Sequence, residues 1–274
     1  MITLPHHLFD RMSRIRHVTL DMDGTIYRGG RLFDVTRPFL RQLRELEIGY
    51  SFLTNNTSLN KTDYVSKLQR LGITATEAEI STPADTAIAW LRDHIPQAGT
   101  LAVLGTRSLC RQFEDAGWKI RWEEPDAVVV GFDTTLTYER LCRAAYWIQQ
   151  GRPFVATHPD LVCPTDEPTI LVDCGAICAC LIAATGRRPT VLGKPDPSML
   201  LELCSRHQLR IDEMAMVGDR LYTDMAMARK AGALSVLVLS GEATLDDVAN
   251  MEFPPDLVLN DVGELGQELA AVKR

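Results

Sequence analysis

Apolar positions in this chain gather into short runs that end abruptly in polar clusters, and between the runs apolar residues recur with helical spacing. The runs at 15–20, 48–53, 101–105, 127–131, 154–157, 235–239 and 256–259 are too short for helices and are bounded by turn residues, so they read as strands. Val35, Phe39, Leu40, Leu43 and Leu46 fall on one helical face, and Val65, Leu68 and Leu71 do the same over 60–72. Helices over 108–116 and 138–150 are predicted to close at Gly117 and Gly151. A later one closes at Gly232, with Arg229 and Lys230 in its last turn. Strands alternating with helices predict an α/β fold built on a doubly wound, Rossmann-like parallel sheet.

The residues that terminate the strands carry the candidate chemistry. After Ile15, Val18 and Leu20 come Asp21, Asp23, Gly24 and Thr25. Side chains two apart on an extended strand share a face, which would send Asp21 and Asp23 into one site at the carboxyl end of the sheet, where ligands of such folds bind. An ordinary Asp-Gly turn would look similar on its own. Three later strand ends complement it. The second strand runs into Thr54, Asn55 and Asn56, a hydroxyl and a group of main-chain N–H donors suited to anionic oxygens. The run TVLGKPDP places Lys194 in a strand-to-helix loop, with Asp196 and Pro197 as the helix start. The run EMAMVGDRLYTD supplies Asp219 and Asp224.

An acid pair, a hydroxyl, an ammonium and a second acid pair suit phosphoryl transfer on a divalent cation. Mg²⁺ takes oxygen ligands at ~2.1 Å, commonly one or two carboxylates, waters and a substrate phosphate. Asp21 and Asp219 are the natural carboxylate ligands, with a main-chain carbonyl near Asp23 as a third protein oxygen. A carboxylate can attack phosphorus to form an acyl phosphate, and the transfer depends mostly on positioning and charge stabilisation.

The sequence DMDGT at 21–25, the FLTNN stretch ending at Asn56, GKPDP around Lys194 and GDRLYTD at 218–224 occur in that order. In this the chain resembles the haloacid dehalogenase (HAD) superfamily of phosphohydrolases, and within it the IIA branch of nitrophenyl-phosphatase-like and sugar- or glycolate-phosphate phosphatases. The resemblance spans almost the whole chain. It implies a HAD-like core and Mg²⁺ as cofactor. Asp21 would be nucleophile and metal ligand, and Asp23 the acid that protonates the leaving oxygen and then the base that activates water. Thr54, Asn55 and Lys194 would hold the phosphoryl group, with Asn56 beside them; Asp219 would ligate Mg²⁺ and Asp224 orient it. A dehalogenase would need one nucleophilic aspartate and no Mg²⁺. A transport ATPase would carry Thr in place of Asp23 and would need membrane helices. A phosphomutase shares all four motifs and stays open as an alternative, as does a catalytically weak binding protein on the same fold.

Motif spacing locates a second domain. Only 29 positions separate Thr25 from Thr54, and one helix fills most of them; 140 separate Thr54 from Lys194. The extra mass is expected at 83–187 as an inserted α/β cap, leaving 1–82 and 188–274 as the core; 26–33 is a short flap. The cap resembles the large cap of the IIA branch and should determine specificity. In it, Thr157 to Asp160 ends a strand, with His158 and Asp160 as candidate substrate contacts, although a surface histidine would look the same. Relatives of the branch more often carry Asn where His158 stands. The stretch 173–178 opens an apolar helix whose N-terminus suits an anionic group, with Cys174 where the branch often has proline.

Composition narrows the setting. A length of 274 residues favours two domains, and 46% apolar with 24% charged residues is ordinary for a globular protein. A formal charge of −7 leaves no basic footprint for nucleic acid. No apolar run reaches the ~18 residues that suggest a membrane span, and the first residues lack a signal-peptide core. Seven cysteines at irregular spacing suggest reduced thiols and a cytoplasmic setting. Cys174, Cys178 and Cys180 read as apolar packing, as do the four tryptophans. Asp126, Asp133 and Asp166 read as solvated loop residues. The expected partner is a small phosphomonoester, with no nucleic acid or membrane, and a homodimer through the cap is compatible.

Overall fold

The computed structural model describes residues 5–163 and 168–273. The chain divides into two compact units: Met1–Leu53, Lys67–Ser81 and Leu200–Arg274 form one, Thr54–Ser66 and Thr82–Met199 the other. Six parallel strands build the sheet of the first, in the order Leu257–Leu259, Leu234–Val238, Met214–Gly218, His17–Asp21, Gly49–Leu53 and Ile80–Ser81. The central strands are buried almost throughout, as a sheet covered on both faces requires. The helix Thr36–Glu45 buries Phe39, Leu40 and Leu43, the face read from its periodicity. The flap folds as a small antiparallel hairpin, Tyr27–Arg28 with Arg31–Leu32.

The second unit holds a five-stranded parallel sheet in the order Thr190–Val191, Phe154–Ala156, Ala127–Val130, Thr100–Leu104 and Lys119–Ile120. Strand alternation sorts its core into two layers. Leu101, Val103, Ala127, Val129 and Val155 pack with Ala84, Leu91, Leu109 and Phe113 of the helices Pro83–His94 and Arg107–Asp115. Ala102, Leu104, Val128, Val130 and Ala156 pack with Ala144, Ile148, Ile177 and Leu181 of the helices Tyr138–Gln149 and Cys174–Thr185. Sequence explains the first of these helices directly: Thr82 and Asp85 form a capping box around Pro83 at the first position.

Several expectations need correction. The strand Thr190–Val191 was expected in the core sheet, yet it pairs with Phe154–Ala156 in the second sheet. Over 60–72 the helix Lys61–Arg70 buries Tyr64 and Leu68, whereas Val65 is only half-buried, because an aromatic ring one residue earlier takes the inward place. Cys174 and Cys178 are buried but Cys180 is exposed. Asp126 accepts from the N–H groups of Gly99 and Thr100, and Asp166 lies outside the described residues.

Asp133 is the largest departure. It is buried, and its carboxylate pairs with Arg140 at 3.0 Å. That guanidinium also donates to the carbonyls of Val103 and Gly105, at 3.0 and 3.1 Å. Removing one partner of a buried pair strands the other, so Arg140→Ala is expected to lose about 3–5 kcal/mol of stability. All four tryptophans lie in the second unit, so tryptophan fluorescence during urea unfolding reads that unit alone. A loss below about 1 kcal/mol would mean that the pair behaves as a solvent-screened one.

Candidate active site

The acidic residues of the first unit converge at the carboxyl edge of its sheet. Strands His17–Asp21 and Met214–Gly218 are neighbours with Leu20 opposite Val217, so Asp21 and Asp219 emerge side by side. Asp224 comes from a π-helical turn, Leu221–Met225, an irregularity often found at functional sites. One carboxylate oxygen from each of Asp21, Asp219 and Asp224 lies within 4.8 Å of the others. Main-chain and hydroxyl donors orient them. Glu242 N–H donates to Asp219 Oδ2 at 2.8 Å, Arg220 N–H to Asp224 Oδ2 at 3.2 Å, and Thr25 Oγ1 to Asp21 Oδ2 at 3.4 Å.

The backbone closes tightly on this cluster. Gly24 has φ of +84°, and a Cβ built on it would stand 2.2 Å from Asp219 Oδ2; one on Gly241 would stand 1.9 Å away. Only glycine fits at either position. Beside the cluster, Arg220 pairs with Glu242 at 3.0 Å. Burial opposes its charge, but Tyr222, Glu242, Asp219 and Asp21 hold its pKa above the usual arginine value. Three clustered carboxylates, held by fixed donors in a tight backbone cradle, fit a hard divalent cation.

Asp23 stands apart from that cluster. The strand ends at Asp21, so strand alternation does not extend to Asp23, whose side chain is exposed. The neighbouring turn is fixed by Gly24 N–H donating to Tyr27 O at 2.7 Å.

The second unit brings together Thr54, Asn55, Lys194, His158 and Asp160, though not in the roles expected of all of them. Thr54 and Lys194 are buried. Asn55 spends its side chain on the main chain of Lys194: Oδ1 accepts Lys194 N–H at 2.8 Å, and Nδ2 donates to Lys194 O at 3.0 Å. Asn56 closes its own turn, its Oδ1 accepting Ser58 N–H at 2.9 Å. The side chains of Asn55 and Asn56 thus both hold main chain in place.

His158 is fully buried rather than at the surface, with Asp173 Oδ1 2.8 Å from Nε2 and Thr157 Oγ1 2.9 Å from Nδ1. Burial opposes a charged ring, but Cys174, Asp173 and Asp160 raise its pKa to about 9. The following helix offers no open anion site either. Cys174 N–H donates to Asp173 Oδ1 at 2.6 Å and Gly175 N–H to Asp160 O at 2.8 Å. Ala176 and Ile177 N–H both donate to Asp173 O, which completes its first turn.

Sequence reasoning missed three participants. Asp173 was read only as the start of a helix, though an N-cap acid fifteen residues after a strand-end histidine is a visible pairing candidate. Thr57 is buried and accepts Phe132 N–H at 3.0 Å, tying the loop after Thr54 to the second sheet. The loop with Gly241 and Glu242 follows the strand Leu234–Val238 and was not examined as a further strand end.

The profile of the family described as haloacid dehalogenase-like hydrolase matches residues 18–119, and a HAD-hydrolase-like profile matches 191–265. The acid sugar phosphatase of Staphylococcus aureus is 31% identical over 94% of this chain and 99% of its own. The crystal structure of a 4-nitrophenylphosphatase from Thermotoga maritima superposes with a TM-score of 0.90 at 39% identity, covering 94% of this chain and 98% of that one. A glycerol phosphate phosphatase from Mycobacterium tuberculosis, solved in complex with magnesium, gives 0.85 at 30% identity, covering 94% of this chain and 77% of that one. With the four motifs, the acidic cluster and relatives matched nearly end to end, this chain belongs to the haloacid dehalogenase-like hydrolases, as a phosphatase of their subclass IIA.

Proposed function

We propose that this phosphatase is a Mg²⁺-dependent phosphomonoesterase for a small phosphorylated metabolite, with sugar and polyol phosphates as the favoured class, and that it works through an aspartyl phosphate on Asp21. The observation that supports it most is the meeting of Asp21, Asp219 and Asp224 carboxylates within 4.8 Å. The names of the relatives from S. aureus and M. tuberculosis favour sugar and polyol phosphates, and the magnesium in the latter's structure favours that ion. The net charge of −7 favours a small substrate over nucleic acid.

In this reading Asp21, Asp219 and Asp224, with the main-chain carbonyl of Asp23, would hold Mg²⁺, which would supply neutralising charge to phosphoryl oxygens. The motif pattern gives the Thr54 hydroxyl and the Lys194 ammonium the role of binding phosphoryl oxygens. The Asp21 carboxylate attacks phosphorus, and the bond to the ester oxygen breaks. Asp23 gives its proton to that departing oxygen, releasing an alcohol. The Asp23 carboxylate then takes a proton from water, whose oxygen attacks the phosphorus of the acyl phosphate. Inorganic phosphate leaves and Asp21 is restored. The exposed position of Asp23 suits a group that meets first an alcohol and then water. A phosphomutase would pass the group to a second substrate, so inorganic phosphate released from a single phosphomonoester without an added acceptor separates the two readings.

Two outcomes test the chemistry. Asp21→Asn keeps side-chain volume but removes the attacking charge, and turnover should fall to near background while the circular dichroism spectrum is retained. Activity within about tenfold of the parent, a barrier change of only ~1.4 kcal/mol, would rule out the covalent route. EDTA should abolish activity and Mg²⁺ restore it, with Asp219→Ala raising the Mg²⁺ concentration needed for half-maximal rate at least tenfold. Undiminished turnover in EDTA would remove the metal from the mechanism.

A further inference from the structure

Asp160 and His158 stand where a specificity loop is expected, yet a chain of contacts within the second unit leads from them to Lys194. His158 meets Asp173 at 2.8 Å. Asp173 holds the first turn of the helix Cys174–Thr185 through Cys174 N–H, and Gly175 N–H reaches back to the carbonyl of Asp160 at 2.8 Å. A Cβ at Gly175 would stand 2.1 Å from Pro159 O, so the loop lies directly on the helix start. Thus His158 and Gly175 fix Asp160 from both sides.

The carboxylate of Asp160 then accepts Asn55 Nδ2, at 3.3 Å to Oδ1 and 3.2 Å to Oδ2. A carboxamide offers two N–H donors and one carbonyl acceptor. Here one N–H goes to Asp160 and the other to Lys194 O, while the carbonyl takes Lys194 N–H. Asn55 is 7% exposed and Lys194 3%, so little water is at hand to replace a lost partner.

We propose that Asp160 is a positioning residue for phosphoryl binding: it locks the Asn55 carboxamide in the orientation that clasps the main chain of Lys194 at both its N–H and its C=O. The inference rests on the reading that Lys194 holds the phosphoryl group. It moves Asp160 and His158 from the part of the protein that distinguishes substrates to the part that treats all of them alike. Charge on Asp160 is secondary; an acceptor at that point is the requirement.

The test measures kcat/KM for four phosphomonoesters with different leaving groups, and the inhibition constant of inorganic phosphate, in each variant. Asp160→Ala is expected to lower kcat/KM about tenfold for every substrate, to weaken phosphate inhibition by a similar factor, and to leave the substrate ranking intact. Asp160→Asn keeps an acceptor and should recover most of the loss; the thermal midpoint of both variants is measured alongside, so that a loss of phosphate binding is told apart from a loss of folding. In a Lys194→Ala background, Asp160→Ala should cost less than twofold, because the two act on one interaction. A reordered ranking, full additivity with Lys194→Ala, or an Asp160→Ala enzyme equal to the parent overturns the proposal while the phosphatase reading stands. If Lys194→Ala itself leaves kcat/KM and phosphate inhibition unchanged, the assignment of Lys194 falls, and this proposal with it.

Discussion

Mutual repulsion among three carboxylates is the constraint around which the first unit is built. Asp21, Asp219 and Asp224 bring oxygens within 4.8 Å, and like charges at such range repel unless a cation or strong donors intervene. The fold responds with what it has: the N–H of Glu242 on Asp219, that of Arg220 on Asp224, and a threonine hydroxyl on Asp21. Gly24 and Gly241 lie against Asp219 with no space for a Cβ, so the backbone around that carboxylate is closely packed. A cluster held so closely trades stability for prearranged carboxylates that suit a divalent cation.

Much of this was legible in sequence because the chemistry sits at strand ends, and strand ends are easy to read. An apolar run that stops at Asp21, another at Asp219 and a third at Thr54 need no tertiary information to be found. The two-layer core of the second unit follows equally from alternation in its strands. What escaped reading were partners distant in sequence. His158 and Asp160 look alike as loop residues; only folding reveals that one is sealed against Asp173 and the other faces the Asn55 amide, 105 positions away. Asp133 escaped for a different reason: its arginine is near in sequence, but nothing in the pattern shows that the loop before the helix Tyr138–Gln149 turns the carboxylate inward. The place of Thr190–Val191 could not be read either, because a two-residue strand carries too little pattern to declare which sheet it joins.

The second unit handles charge by the opposite rule. Among its described residues, buried Asp133 meets Arg140 and buried His158 meets Asp173. Buried pairs contribute modestly to net stability but penalise any arrangement that separates them. They therefore select one geometry for the loops at the carboxyl ends of the second sheet. Loop 157–160 is the clearest beneficiary, with its histidine buried and its main chain bound to the first turn of the helix Cys174–Thr185.

That difference has a consequence for how the family's specificity can vary on this chain. A loop whose side chains are bound inward offers a substrate mostly its exposed main chain and its rim, so altering selectivity by changing His158 would first disturb the support of Lys194. Exposed side chains vary at lower cost than buried, hydrogen-bonded ones. Leu161 and Ile170, both more than half exposed beside the short hairpin Val162–Cys163 and Leu171–Val172, are of that kind: their main-chain carbonyls accept from Asp173 N–H and Thr169 Oγ1, contacts that a change of side chain at 161 or 170 leaves in place.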